Sequence, residues 1–353
     1  MRHSWRFLKS VVLGRLKGTP YKLNFAITAA CNSRCLTCNV GRLFQKNPTA
    51  IKDELTLKEL GNFFDKLPKT ITWISFSGGE PFLRSDLAEI VSLAIEKVPN
   101  LSVISIPSNG LNMRKIVEGV GKILELNNLP RLFLNFSLDG PPKVHNKIRG
   151  VEGDYNKTWR TYLTVKDLSQ KYSNLRVNLE ITISKLNIDC LIEFCTLLIN
   201  RGEKITMTVA HRGRLYRNEK NKDFFVLHED LGKVVEVVGL VDKSLSCLVP
   251  AELVEKIYLR RMINYLRKPA KQVLPCMALK ASCALDSFGL VTPCFMWGKK
   301  LGNIRETEGG LLDIWKRPLT QKIRIRIEQN GCPNCWTPCE AYQSIINNFL
   351  IGR

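Results

Sequence analysis

The chain has 353 residues, enough for one large domain and a smaller one around a proper core. It is 44% hydrophobic and 24% charged, as globular proteins are, and no apolar run is long enough to cross a bilayer, which excludes a membrane-spanning helix. Net charge is +21, and ten Lys or Arg from Arg2 to Lys52 precede the first acidic residue, Asp53, a surplus that attracts phospholipid, nucleic acid or an acidic protein donor.

In chain order, residues 2–17 (RHSWRFLKSVVLGRLK) predict a short helix: Trp5, Leu8, Val12 and Leu16 recur at helical spacing, with Arg6, Lys9 and Lys17 to one side. Gly18 and Pro20 end it. No apolar stretch with a small-residue cleavage site follows the basic N-terminus, so a cytoplasmic protein is expected. Six apolar, β-rich runs come next, at 23–28, 71–77, 102–107, 131–139, 175–184 and 204–210, with helical patterns between them. Six βα units at this spacing predict an α/β fold, a parallel sheet left open or curled into a partial (β/α)6 barrel. In such folds ligands sit at the carboxyl ends of the strands, where CNSRCLTC, SGGEP, PSNG and SLDGPP all lie. The expected organisation is an N-terminal helix (1–20), a core (21–227), a basic helical bridge (228–271), a cysteine-rich module (272–342) and a tail (343–353).

Twelve cysteines in a reducing compartment point to metal rather than to disulfides. Cys190, Cys195 and Cys247 stand apart and read as buried small hydrophobes. The other nine cluster. Cys31, Cys35 and Cys38 fall within eight residues, at C-x3-C-x2-C spacing, directly after the first strand. Thiolates select zinc, copper(I) or iron–sulfur clusters, and a structural zinc site wants four closed ligands. Here no fourth Cys or His comes before His145. A cubane held by three cysteines keeps one iron open for a substrate or cofactor.

This spacing resembles the radical S-adenosylmethionine (radical SAM) superfamily, and the tail resembles its SPASM/twitch extension, over about residues 21–342. The resemblance implies a catalytic 4Fe–4S cluster on Cys31, Cys35 and Cys38, with S-adenosylmethionine chelated at the open iron. One electron then cleaves the sulfonium, and a 5′-deoxyadenosyl radical abstracts hydrogen from the substrate. Gly78, Gly79 and Glu80 match the family's GGE motif, which meets the methionine ammonium. Asn109 in PSNG, and Ser137 and Asp139 in SLDG with His145 and Arg149-Gly150 beyond, match segments near the methionyl and ribose groups. Lys157 falls where many relatives carry a basic residue for the cofactor carboxylate. One departure is Thr37, at a position that is often aromatic in the family. The implied electron donor is a small acidic ferredoxin or flavodoxin.

In the tail, Cys276, Cys283 and Cys294 (with Gly289 five residues before Cys294) precede Cys332, Cys335 and Cys339. Alone, these separated thiolates would suit zinc equally well. Behind a radical SAM core, the expectation is one auxiliary 4Fe–4S cluster on Cys276, Cys294, Cys332 and Cys335, with Cys283 and Cys339 in reserve.

Many SPASM-type relatives modify ribosomal peptides, often through an added leader-binding domain. Only about twenty residues precede the first strand here, and they suit a basic helix lying in a membrane interface. The expected substrate is therefore a membrane lipid or lipid-linked molecule, undergoing C–H functionalisation or C–C bond formation. The expected location is peripheral, at the inner face of the cell membrane. A ribosomal peptide is the alternative substrate. A reading of another class, a non-catalytic zinc- or RNA-binding protein, lacks a dedicated RNA-reading motif, so nucleic acid is not the expected partner.

Overall fold

The computed structural model describes residues 2–220 and 223–349. Helix α1 (Arg2–Lys17) leads into β1 (Lys22–Thr28). Then come α2 (Val40–Lys46), α3 (Leu57–Asp65), β2 (Trp73–Gly78), α4 (Leu87–Lys97), β3 (Val103–Ser108), α5 (Met113–Leu124) and β4 (Arg131–Ser137). The βα series closes with α6 (Pro142–Arg149), α7 (Asp154–Lys171), β5 (Leu175–Ile183), α8 (Leu191–Asn200) and β6 (Ile205–Val209). The six strands pair in parallel and in sequence order, as right-handed βα crossovers dictate. Local signals set the element ends. Thr56 and Glu59 form a reciprocal capping box at the start of α3, and Gly150, at φ +68°, ends α6.

Strand alternation gives the sheet two faces. Ile74, Phe76, Ile104, Leu132, Leu134, Leu179 and Ile181 are fully buried against the surrounding helices. The opposite face presents Asn24, Ser75, Ser105, Asn135, Asn178 and Thr206. A closed (β/α)8 barrel fills this interior with branched apolar side chains. Here polar side chains line the interior and bond within it, as Asn178 Nδ2 does to Asn135 Oδ1 (3.0 Å) and Trp73 Nε1 to Ser105 Oγ (3.2 Å).

After β6, α9 (Leu231–Ser244) and α10 (Pro250–Arg267) pack on each other and on β6. The cysteine-rich segment then contributes β7 (Ser282–Leu285), β8 (Leu290–Thr292), β9 (Gly302–Asn303), α11 (Leu311–Lys316), α12 (Pro318–Glu328) and α13 (Pro338–Phe349). Strand β7 pairs in parallel with β1, Leu23 opposite Cys283, so this segment continues the core's own sheet. Helix α13 turns back into the interior. Lys22 Nζ donates to Gln343 Oε1 (3.0 Å) and to the Cys339 carbonyl (2.9 Å), and Asn24 Nδ2 donates to Glu340 Oε1 (3.1 Å). Residues 343–349 of the expected tail are thus helical, and 350–353 lie outside the described residues.

The stripe Trp5, Leu8, Val12 and Leu16 does not pack: Trp5 is 69% and Leu16 77% exposed. Helix α1 holds the barrel through its other side, where Val11 and Phe7 meet Tyr21 and Ala281. Of the isolated cysteines, Cys195 is buried as expected, but Cys247 lies exposed between α9 and α10, where no core reaches it.

Candidate functional site

The loop carrying Cys31, Cys35 and Cys38 leaves the end of β1 and is tied at four points. From β2, Gly79 N–H donates to the Thr28 carbonyl (2.8 Å) and Glu80 N–H to the Ala30 carbonyl (2.7 Å). A Cβ on Gly79 would stand 2.0 Å from the Ala30 oxygen, so only glycine allows this approach. From β3, Asn109 Nδ2 donates to Asn32 Oδ1 (2.7 Å) and Ser33 Oγ (3.1 Å). The last carbonyls of α6 accept from the loop, Arg149 from Arg34 N–H (2.9 Å) and Ile148 from Leu36 N–H (2.8 Å). Beyond β6, Asn218 Nδ2 donates to the Thr37 carbonyl (2.7 Å) and the Tyr216 carbonyl accepts from Asn39 N–H (2.8 Å).

Burial raises the proton affinity of all three thiols. Burial, chiefly, and then the charges of Cys35, Glu80 and Cys38 push Cys31 up to about 12. Cys38 is likewise pushed up to about 12, by burial and then Cys35, and Cys35 is raised by burial. Three thiolates are not stable together here without a cation to share, which is the donor chemistry of an iron cluster. Among the described residues no three His, Cys, Asp or Glu side chains converge on a single metal ion. A cubane takes each thiolate at a separate corner iron.

Glu80 is fully engaged by the chain itself. Its Oε1 accepts from Phe82 N–H (3.2 Å) and Ser108 Oγ (3.0 Å), and its Oε2 from Asn109 N–H (2.6 Å). Burial lifts its carboxyl to about 7. The residue set opposite an ammonium by resemblance thus braces the β2 and β3 exits here. Asp139 is similar. It forms an ion pair with Arg149 (Nε 2.7 Å away) and accepts from Thr182 N–H (3.0 Å), and Arg149 Nη1 lies 3.9 Å from Cys35 Sγ. His145 Nδ1 accepts from Asp139 N–H (3.0 Å), which leaves its Nε2–H facing Asp154 (3.4 Å). Asp154 also accepts from Thr158 Oγ1 (2.9 Å), at i and i+4 on α7. Ser137 is half-buried in the lumen, whereas Lys157 is exposed on α7. Thr158, its neighbour, is the buried one and reaches the Asn109 carbonyl (2.6 Å). The D-x-x-x-T spacing in the sequence was the available sign of it. Asn218 carried no sign at all.

In the cysteine-rich segment, five thiols share one neighbourhood. After burial and the charge of Glu340, Cys276 registers the charges of Cys335 and Cys332, and Cys294 those of Cys335, Cys276 and Cys339. Thr337 Oγ1 bridges Cys335 Sγ (3.9 Å) and Cys339 Sγ (2.9 Å). Cys283, named as a reserve ligand, is not among them. It is fully buried on the helix-facing side of β7, opposite Leu23, because a four-residue strand fixes which face it takes.

Beside Cys294 opens a cavity of about 990 Å³, solvent at its mouth included. Thr28, Gly78 and Gly79 line it from the core, Arg214 from the loop after β6, and Ser287 and Cys294 from the β7–β8 side.

The model of the Radical SAM superfamily matches residues 25–198, and that of the SPASM iron-sulfur cluster-binding domain matches 276–339. Fe-coproporphyrin III synthase of Methanosarcina barkeri is 26% identical over 169 residues, 46% of this chain and 37% of that protein. The chain thus spans little more than a third of that relative's length. Mycofactocin maturase MftC of Mycobacterium tuberculosis is 23% identical over 328 residues, covering 90% of this chain and 75% of the relative. The crystal structure of Streptococcus suis SuiB bound to precursor peptide SuiA shares the fold, with a TM-score of 0.60 at 16% identity over 90% of this chain and 70% of that one. The cofactors of this fold are S-adenosylmethionine and 4Fe–4S clusters, and the donor sets at both cysteine groups suit them. The chain belongs to the radical SAM superfamily of enzymes and carries a SPASM iron–sulfur domain.

Proposed function

We propose that the protein reductively cleaves S-adenosylmethionine and takes a hydrogen atom from an unactivated C–H bond of a peptide. The observation that carries this reading is a three-thiol loop, tied at four points, at the open end of a polar lumen. When bound there, a cluster on Cys31, Cys35 and Cys38 supplies the electron, and S-adenosylmethionine the radical. The chain's own residues position and shield. Gly78 and Gly79 give the cofactor backbone to lie against, Glu80 and Asn109 brace that wall, and Asp139 acts through Arg149 on the loop. Ser137 lines the lumen, and Lys157 remains the candidate for the cofactor carboxylate. Cys276, Cys294, Cys332 and Cys335 are the ligands proposed for one auxiliary cluster, with Cys339 close enough to replace one of them.

The fold shared with SuiB, solved with a precursor peptide, favours a peptide over the lipid expected from the N-terminal helix. The test is anaerobic turnover with dithionite, read as 5′-deoxyadenosine, followed by mass spectrometry of peptides and lipids from cells with and without the gene. A mass change confined to lipids would replace the peptide reading. A reductant is required in this superfamily. A small acidic ferredoxin or flavodoxin suits a chain of net charge +21, and turnover indifferent to salt would count against that donor.

We also propose a peripheral position on an anionic membrane face. Helix α1 holds the barrel with one apolar stripe and leaves a second one, Trp5, Leu8, Val12 and Leu16, in solvent. Lys9, Arg15 and Lys17 are exposed beside it, and no acidic residue precedes Asp53. Among the described residues no helix is long and apolar enough to cross a membrane. Each basic residue near an anionic leaflet adds about 1 kcal/mol. Trp5→Glu with Leu16→Glu is expected to weaken binding to phosphatidylglycerol vesicles by about a hundredfold, since each removes about 1.5 kcal/mol or more of apolar insertion. Full-length protein that fails to sediment with such vesicles would end this proposal.

A further inference from the structure

The cavity beside Cys294 has a cationic wall. Arg214 and Arg217 both line it, from one turn after β6. That turn closes with Arg217 N–H donating to the Arg214 carbonyl (3.1 Å), and it is gripped from two sides. Asn39, just past the first cysteine group, donates its N–H to the Tyr216 carbonyl (2.8 Å) and its Nδ2 to the Arg217 carbonyl (2.8 Å). From the other side, the Met296 carbonyl accepts from Arg214 N–H (3.4 Å) and the Phe295 carbonyl from Leu215 N–H (3.0 Å). Arg217 holds φ +53°, a left-handed conformation that residues other than glycine keep only where their surroundings impose it. The Arg214 side chain is placed by contact: a Cβ on Gly298 would stand 1.8 Å from its Cδ.

Among the described residues, no hydrogen bond or ion pair reaches either guanidinium. Asp286 is the one carboxylate among the residues that line the cavity. Its Oδ1 already accepts from Phe288 N–H (3.0 Å) and Leu290 N–H (2.9 Å) in the turn between β7 and β8, and it forms no ion pair with either arginine. Arg84, Arg149 and Arg305, by contrast, each meet a carboxylate of the chain. The rest of the wall is mainly apolar, with Leu43, Phe44, Ile51, Phe288 and Phe295. Two held cations thus stand over an apolar floor without a counter-charge.

We infer that Arg214 and Arg217 form a subsite for a carboxylate of the substrate, with an apolar group of the same substrate against Phe44, Phe288 and Phe295. A guanidinium presents forked N–H donors that match the two oxygens of a carboxylate. The turn that carries both is fixed before anything binds, which lowers the ordering cost of binding. Cys294 lines the same cavity, so the anchored part of the substrate lies on the side of the second cysteine group. The inference rests on the peptide reading, because a peptide supplies the carboxylate at its C-terminus or on an aspartate or glutamate side chain.

The experiment uses the full chain with its clusters reconstituted and S-adenosylmethionine present, without reductant. Three tripeptides are compared by calorimetry: acetyl-alanyl-leucyl-leucine with a free C-terminus, its uncharged C-terminal amide, and acetyl-alanyl-glutamyl-leucine amide. Wild type is expected to bind one of the two acids about tenfold more tightly than the uncharged amide, the scale of one charge-assisted contact. Preference for the free C-terminus would identify the end of the peptide, and preference for the glutamyl peptide a side chain. Arg214→Gln is expected to remove the preference, and Arg214→Lys to keep part of it, since the charge survives without the fork. Arg217→Gln, at an exposed position, should reduce it, and Arg160→Gln, exposed on α7, should change nothing. Equal binding of acids and amide by wild type, no binding of any of the three, or a preference that survives both Arg214→Gln and Arg217→Gln would each overturn the subsite. Affinity for S-adenosylmethionine alone should be the same in wild type and Arg214→Gln; a tenfold loss there would give the arginines to the cofactor and overturn the subsite as well. Dithionite-driven cleavage of S-adenosylmethionine by wild type, measured alongside, tests the functional reading separately. Its absence would sink that reading and leave the tripeptides to judge the subsite.

Discussion

Replacing Cys31, Cys35 and Cys38 together with Ala is expected to reduce dithionite-driven formation of 5′-deoxyadenosine to background while leaving about half of the iron, one cubane of two. The physical basis is the separation of the donor sets: the first lies on one loop after β1, the second runs from Cys276, ahead of β7, to the segment that enters α13. The fold should survive. The loop's position comes from backbone bonds to Gly79, Glu80, Arg149, Ile148 and Tyr216 and from the side chains of Asn109 and Asn218, none of which uses a thiol. Iron analysis, circular dichroism and product chromatography on one preparation read all three quantities. Persistent 5′-deoxyadenosine would refute the catalytic assignment, and loss of all iron would mean that the second group holds no cluster.

Arg149→Met should cost about 3 kcal/mol of stability, the lower part of the range for breaking a buried ion pair from one side. Asp139 is 1% exposed and would keep only Thr182 N–H as a donor. The loss is one of desolvation, because methionine replaces the bulk of the side chain but not its charge. Asp139→Asn in the Arg149→Met background removes the stranded charge, so the double variant should recover part of the loss. Urea denaturation of the three variants gives the coupling directly. A single variant within about 0.5 kcal/mol of wild type would mean that water already satisfies Asp139.

The six strands were legible because each is a run of alternating residues long enough to show its period, and the ends of the first four carry a turn or loop motif. Strands β7 to β9 were not: they have four, three and two residues, too few for any period to appear. Without β7 there was no means of telling that Cys283 lies in a strand and faces the core. The N-terminal helix shows a different limit. Spacing found a true apolar stripe on α1, but the helix has two, and only tertiary contact decides which of them packs. The cysteines and the GGE motif were legible as chemistry. The partners of Glu80 were not, since Ser108 and Asn109 lie 28 and 29 residues away and meet it only where two strands end together.

The embrace of β1 by α13 sets an order of events at the ribosome. Lys22 and Asn24 wait for Cys339, Glu340 and Gln343, which follow them by more than 300 positions. Contacts so distant in sequence carry a late loop-closure cost, and their formation cannot begin until residues 339–343 have emerged. Until then the first strand keeps an amine and an amide turned into an unfinished lumen. The apolar exterior face of the βα series can assemble from local contacts during synthesis, whereas the interior beside both cysteine groups is completed last. Synthesis thus holds the lumen open longest on the side where the clusters are to be installed, and the final helix closes it.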